Sequence, residues 1–437
     1  MRQTLRFMLS GLVALTAAGL AGCGGGSLSV NDGHVRLVNA TTGIGALDLY
    51  QSSSLLSGNV AASTASPYVD LKAASYTFNL NLAGSGATAA TLPGTVQKKN
   101  DYTIIAYTSG GTLTATYLSD NEGSPSSGTA KLRLFNADTT DVASVDAYLL
   151  TTACSGLATS PAAPFFTAAT GLQASYTQVN AASGGTTYHL CVTPAGDKSD
   201  LRLDIPSLTL SDGQIVTVIL TRSTGGVLLN GLVLNQQGSL TAASNASARI
   251  RLAVGATGGA IVTATANGVP LGTNLPAPAV GLYMVVPSGP LTLVATIGGA
   301  AVPDPGLSTE PGDELTLLVA GTTATKPVLI ADDNSASTSA ASPVKLRLVN
   351  GMGTTLPAVL TDNFINVGSA APFGTSSGYA QVQASTALAL LQASAGTASL
   401  CQSASVTLTA GNVYTVFLLG DVPATPTPPA CAIIPDR

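Results

Sequence analysis

A seven-residue pattern recurs four times along the 437-residue chain: His34-Val35-Arg36-Leu37-Val38-Asn39-Ala40, Lys131-Leu132-Arg133-Leu134-Phe135-Asn136-Ala137, Arg249-Ile250-Arg251-Leu252-Ala253-Val254-Gly255 and Lys345-Leu346-Arg347-Leu348-Val349-Asn350-Gly351. The shared arginines stand 97, 118 and 96 residues apart, a domain-sized step and not a solenoid-sized one. Any fold must therefore supply four equivalent places for one strand. Each copy also closes on a second shared pattern, a pair of β-branched runs: Tyr102–Tyr107 before Leu113–Leu118, Ile215–Leu220 before Val227–Leu229, Leu315–Val319 before Val328–Ile330, and Tyr414–Leu419 before Ala432–Ile434. Short runs such as Tyr76–Leu82 and Leu291–Ile297, broken by Gly, Pro, Asn and Ser, fill the space between them. The spacing predicts an all-β chain of four tandem immunoglobulin-like β-sandwich modules, each of roughly seven strands. Polar stretches at Asp120–Gly128, Gly238–Asn245 and Asp332–Ser339 read as linkers. The expected modules are residues 33–122, 129–238, 247–334 and 343–437.

Within the first strand of each module, residues of alternating position share a face. Val35/Leu37, Leu132/Leu134, Ile250/Leu252 and Leu346/Leu348 point to the core, which leaves His34/Arg36, Lys131/Arg133, Arg249/Arg251 and Lys345/Arg347 pointing outward. Outward charge on a first strand is expected to discourage pairing with other chains. Arg36 with Asp48, and Arg133 with Asp146, are expected to pair across neighbouring strands.

The chain opens with Met1, Arg2 and Arg6, followed by an apolar run from Phe7 to Gly19 that ends at Leu20-Ala21-Gly22-Cys23. A cationic start and a short apolar segment make residues 1–22 a signal peptide. The closing four residues resemble the lipobox of bacterial lipoproteins, which implies lipid on Cys23. Two or three acyl chains would anchor the protein stably, and residues 23–32, with Gly24-Gly25-Gly26-Ser27, read as a flexible tether. The absence of aspartate after Cys23 points to the outer membrane where a cell has two. Losing Arg2 and Arg6 takes the formal charge from −5 to about −7, which disfavours nucleic acid as a partner.

The repeated Arg-Leu-Val-Asn-Ala, the later Leu47-Asp48-Leu49-Tyr50 and Val145-Asp146-Ala147-Tyr148, and the closing strand pair resemble the secreted module catalogued as domain of unknown function 4397. The resemblance implies a bacterial envelope protein and no particular activity. Copies three and four lack the Asp-x-Tyr element, and copy three has Val254 where the others have asparagine.

Beyond Cys23 the cysteines are Cys154, Cys191, Cys401 and Cys431, an even number in an exported chain. Pairing as Cys154–Cys191 and Cys401–Cys431 keeps each bridge inside one module. No histidine stands at a spacing that completes a zinc set. Gly374-Thr375-Ser376-Ser377-Gly378 fits the nucleophile-elbow pattern, but that motif needs a following helix and a later histidine, and His34 and His189 both precede it. The linker groups Asp120-Asn121-Glu122 and Asp332-Asp333-Asn334 could gather calcium, although solvated linker carboxylates are the simpler expectation. The sequence therefore predicts a non-enzymatic, lipid-anchored envelope protein without cofactor, structural or adhesive, presenting a rod of modules. Its expected partners are the membrane and another envelope protein or a surface polymer. Binding of a small ligand, a glycan or calcium is the alternative.

Overall fold

The computed structural model describes residues 28–138, 142–173, 175–337, 343–423 and 428–436. The expected signal peptide, the lipobox-like stretch and Cys23 lie outside the described residues. Among those described, regular structure is strand apart from two 3₁₀ turns, and no helix is long and apolar enough to cross a membrane.

The first module runs β1 (Gly33–Asn39), β2 (Leu47–Gln51), β3 (Ser54–Val60), β4 (Thr64–Ala65), β5 (Val69–Leu71), β6 (Ala74–Leu82), β7 (Thr88–Val96), β8 (Asp101–Ser109) and β9 (Thr112–Ser119). One sheet is ordered β4/β5-β1-β8-β9 and the other β3-β2-β6-β7. All these neighbours are antiparallel except β1 and β8, which pair in parallel from His34↔Asp101 to Asn39↔Ala106. The same two orders recur in the other three modules. The sandwich class expected from the sequence holds, with a connectivity of its own. In an immunoglobulin domain the third strand crosses to the opposite sheet, whereas here β3 folds straight back on β2 as a hairpin. A split strand, β4/β5, completes four strands per sheet.

Val35, Leu37, Leu47, Leu49, Phe78, Leu80, Ile104 and their neighbours fill the space between the two sheets. Two elements of the repeated pattern, an asparagine and an aspartate, fix the chain around the crossover from one sheet to the other. The Asn39 amide donates to the carbonyls of Gly45 and Val60 while its oxygen accepts the Thr41 N–H, and Asn136 and Asn350 make the corresponding bonds to Val142 and Ala371. Asp48 accepts the N–H groups of Asn59 (2.7 Å) and Gly84 (3.1 Å), and Asp146 those of Ala168 and Gly196. Asn59 and Ala168 are bulged residues at positive φ, +54° and +45°, so each carboxylate holds a bend that the backbone resists. Module four has Val359 in place of that acceptor and puts Gly368 (φ +71°) at its bulge, where no side chain opposes the turn.

The modules do not form a rod. Val38, Ala40, Ile105 and Leu118 of module one join Phe135, Ala137, Ile219, Leu232 and Leu234 of module two in one buried cluster. Ala253, Leu318, Ala320 and Ile330 of module three likewise join Val349, Phe417 and Leu419 of module four. Each pair thus packs its β1-type sheets face to face, because those strands are apolar on both faces. At the crossing stand Ala40, Ala137, Gly255 and Gly351, one small residue per copy. A Cβ on Gly255 would lie 2.8 Å from the Gly351 carbonyl oxygen, so the backbones of modules three and four meet there.

The pairs stack end to end. Glu314, at the entry end of module three, accepts the N–H groups of Val227 and Leu228 in the far hairpin of module two, at 2.8 and 3.0 Å. The expected linker Gly238–Asn245 is also structured: Leu240–Ala243 adds a fifth strand to the module-two sheet, and Asn245 is buried, donating to the carbonyls of Arg202 and Leu229.

Candidate functional site

The four repeated arginines are 3, 6, 2 and 1% exposed, so the outward charges of the first strands are core charges of the pairs. The first strand is central in its sheet, and its outer face is covered by the other module of its pair. Each arginine lies over a tyrosine ring supplied by the β5-type segment: Arg36 on Tyr68 at 4.6 Å, Arg133 on Tyr176 at 4.1 Å, Arg251 on Tyr283 at 4.7 Å and Arg347 on Tyr379 at 4.4 Å. Each donates from Nε to a threonine on the parallel neighbour, Thr103, Thr217, Thr316 or Thr415. The pairings expected of Arg36 with Asp48 and of Arg133 with Asp146 do not form, because those aspartates are consumed by backbone N–H groups on the opposite sheet.

The arginines meet carboxylates that follow the last strand of a module. Arg36 lies 3.6 Å from Asp120 and also donates to the carbonyls of Asn235 and Gly238 in module two. In the second pair the exchange is reciprocal: Arg251 of module three binds Asp436 of module four, and Arg347 of module four binds Asp332 of module three. Asp332 also accepts the hydroxyls of Thr316 (2.8 Å) and Tyr283 (2.5 Å). Module two has Gln236 at this place, and its amide instead bonds the Glu122 backbone in both directions. Burial pushes the Asp120 carboxyl above its ordinary range, although Thr103, Tyr68 and Arg36 pull it down. Burial likewise lowers Arg133, whose module brings no such carboxylate. The linker carboxylates are thus held by protein cations: Asp120 and Asp332 by arginines, Glu122 by Lys131 and Asp333 by Lys345. That leaves them poorly arranged for calcium.

Both disulfides form within their modules, Cys154–Cys191 and Cys401–Cys431, with Cα–Cα distances of 5.6 and 4.9 Å. Cys154, His189 and Asp204 converge with ligand atoms within 4.8 Å of one another, but the Cys154 sulfur is spent in its bridge and offers no thiolate. His189 stands 3.6 Å from Asp204, whose carboxyl burial pushes upward. Ser376 of the elbow-like motif lies in a two-residue strand, Thr375–Ser376, paired with Val349 and Asn350, and a strand rather than a helix follows. The neighbouring Ser377 hydroxyl accepts the Leu348 N–H at 2.9 Å, a structural bond.

A cleft of about 560 Å³ opens in module four between two edge strands, Ile365–Ala371 and Ala380–Val382. Asp362, Asn366, Gln381 and Gln383 line it with apolar Ile365, Val382 and Leu388. At its rim the hairpin turn Asn363-Phe364 holds Phe364 at φ +68° with 78% of its surface exposed. An aromatic in the left-handed region is strained, and module three places Gly268 (φ +78°) in its corresponding turn. Sequence reasoning found neither this cleft nor the arginine boxes. A signal for the boxes was present: Tyr68, Tyr283 and Tyr379 each follow their arginine by 32 residues.

No curated protein matches the chain. Among solved structures, it is similar to the Bacillus anthracis TIE protein at 11% identity and a TM-score of 0.15, over 66% of this chain. The chain spans about half, 51%, of that protein's length. It is also similar to CBMbc, a family 26 carbohydrate-binding module from Eubacterium rectale Amy13K solved with maltoheptaose, at 11% identity and a TM-score of 0.14, over 46% of this chain and 96% of that one. Residues 33–148, from β1 through the Asp146–Tyr148 element of module two, match the family described as domain of unknown function (DUF4397), and in that stretch the chain resembles it.

Proposed function

We propose that this chain is a non-enzymatic, lipid-anchored protein of the bacterial envelope, structural or adhesive in role, held by Cys23 in the outer membrane. The carrying observation is the pairing of modules through buried arginine boxes, which makes a stiff body from short polar-surfaced sandwiches. A stiff body on a glycine-rich tether suits display toward a second envelope protein or a surface polymer. Metabolic labelling with a palmitate analogue tests the anchor: label is expected on the parent and absent from Cys23→Ser. Protease shaving of intact cells, with and without permeabilising the outer membrane, tests the face. Unlabelled parent protein, or recovery in the soluble fraction, would overturn the reading.

The module-four cleft supports a second reading, binding of a small ligand or glycan. Asn366, Gln381 and Gln383 bring amides to it, and the exposed aromatic Phe364 stands in sequence between two of its lining residues, Asn363 and Ile365. Glycan-array binding lost in Phe364→Ala and Gln381→Ala would support it. An array with no binding to the parent would remove it.

A further inference from the structure

The first cation of the repeated motif stands at the joint with what precedes its module, directly in modules two and four and through a carboxylate in module three. Lys131 binds Glu122 and the Gly123 carbonyl, and Lys345 binds Asp333 and the carbonyls of Asp333 and Ser335. Arg249 lies 3.6 Å from Glu314, the residue that holds the module-two hairpin. In module one the position is His34. Its Nδ1 stands 2.5 Å from Asp101, and its Nε2 stands 3.1 Å from the Ser29 carbonyl and 3.5 Å from Asp70. Asp70 in turn accepts the Ser29 N–H at 3.0 Å.

Both ring nitrogens therefore face acceptors only. A neutral imidazole carries one N–H and cannot satisfy both sides, whereas the imidazolium donates to both. We propose that His34 is a proton-operated latch on the N-terminal tether: protonated, it holds Ser29 against module one, and deprotonated, it releases it. Asp101, the nearer acceptor, keeps the single remaining N–H, so deprotonation removes the His34 donor from the Ser29 carbonyl, which keeps its local turn bond from the Asp32 N–H at 3.2 Å. The groups facing the ring are Asp70 from β5, Asp101 from β8 and the Ser29 carbonyl. Arg36, two residues along the same face, is occupied by Asp120 and Thr103. Burial lowers the His34 pKa, but the Asp101 and Ser29 hydrogen bonds and the two carboxylates outweigh it and hold it above 6.5. Latching is then complete below that value and lost as the pH rises through the folded midpoint. The other three joints carry lysine or arginine, so the joint to the tether is the one that titrates near neutrality.

The latch deepens the anchored-protein reading, since a released tether lets the body tilt and reach further from a membrane. It is read on residues 28–34 whether or not Cys23 carries lipid, so its failure is distinct from failure of the anchor. The experiment is an NMR titration of the two histidines in the full-length chain, assigned with His189→Asn, together with hydrogen exchange of residues 29–32 at pH 5.5 and 8.5. Expected are a His34 midpoint above 6.5 and, after correction for intrinsic rates, loss of tether protection at the higher pH. His34→Lys is expected to keep the tether protected at both values, and His34→Ala at neither. A midpoint at or below 6.5, or a His34→Lys chain that loses protection with pH as the parent does, would overturn the latch.

Discussion

Asp332 is a heavily engaged carboxylate of the second pair. It binds Arg347, Thr316 and Tyr283 and stands 3.7 Å from the Arg251 Nε. Replacing it by alanine strands Arg347, 1% exposed, inside an apolar interface. Breaking a buried pair from one side costs about 3–5 kcal/mol, because the remaining charge keeps its desolvation penalty and loses its partner. The pair of modules is about 190 residues long, for which an unfolding entropy of roughly 2.1 cal/mol/K per residue gives about 0.4 kcal/mol/K. Asp332→Ala should therefore lower the melting transition of modules three and four by about 8–12 °C. Scanning calorimetry of the full chain reads it, and the transition of modules one and two should stay within about 2 °C of the parent. The double replacement Asp332→Leu with Arg347→Met removes both charges and should recover part of the loss. An Asp332→Ala chain that melts like the parent would mean that Arg347 reaches water, and the paired packing would be wrong.

Four further outcomes follow from the same geometry. Gly255→Val should wedge modules three and four apart, since even a Cβ meets the Gly351 carbonyl oxygen at 2.8 Å, and small-angle scattering should show a larger radius of gyration than the parent's. Phe364→Gly should stabilise module four by about 1 kcal/mol in denaturant melts, because it relieves a left-handed non-glycine residue. Glu314 is raised above its ordinary 4.5 by burial, against the pull of Arg249 and its hydrogen-bond donors. Its contribution is fully present below that value and fades as the pH rises through its folded pKa, so the stability difference between parent and Glu314→Gln should change across that window and be level on either side. Reducing both disulfides, whose loops span 37 and 30 residues, should cost each module about 3–4 kcal/mol in urea melts under reducing agent.

Much of the fold was legible because strand periodicity and turn chemistry are local. The four first strands, the closing strand pairs and the within-module cysteine bridges all rest on residues close in sequence or on simple parity. The pairing of modules was harder to see. A strand packed on one side alternates, whereas Ile104-Ile105, Val218-Ile219, Leu317-Leu318 and Val416-Phe417 place apolar residues on both faces. Those doublets were the sign that a second surface covers the sheet. The arginines misled for a related reason. Alternation correctly turned them away from their own core, but it cannot say whether water or another module lies outside. Their bonding carboxylates lie elsewhere: Asp120 is 84 residues after Arg36 and Asp332 is 15 before Arg347, both in stretches that read as linkers, and Asp436 is 185 after Arg251 at the end of another module. Asp48 and Asp146 stand nearer in sequence, yet positive-φ bulges claim them.

The face-to-face packing also bears on how such a chain can grow. An unpartnered module would leave Val38 and Ile105, or Val349 and Phe417, on an open sheet together with a bare arginine. The smallest self-sufficient addition is thus two modules, and the sequence keeps a trace of it: arginines two modules apart stand 215 and 214 residues apart, nearly equal, while adjacent ones alternate between short and long steps. Lengthening by one copy would create a sticky end, whereas lengthening by two would only extend the stack.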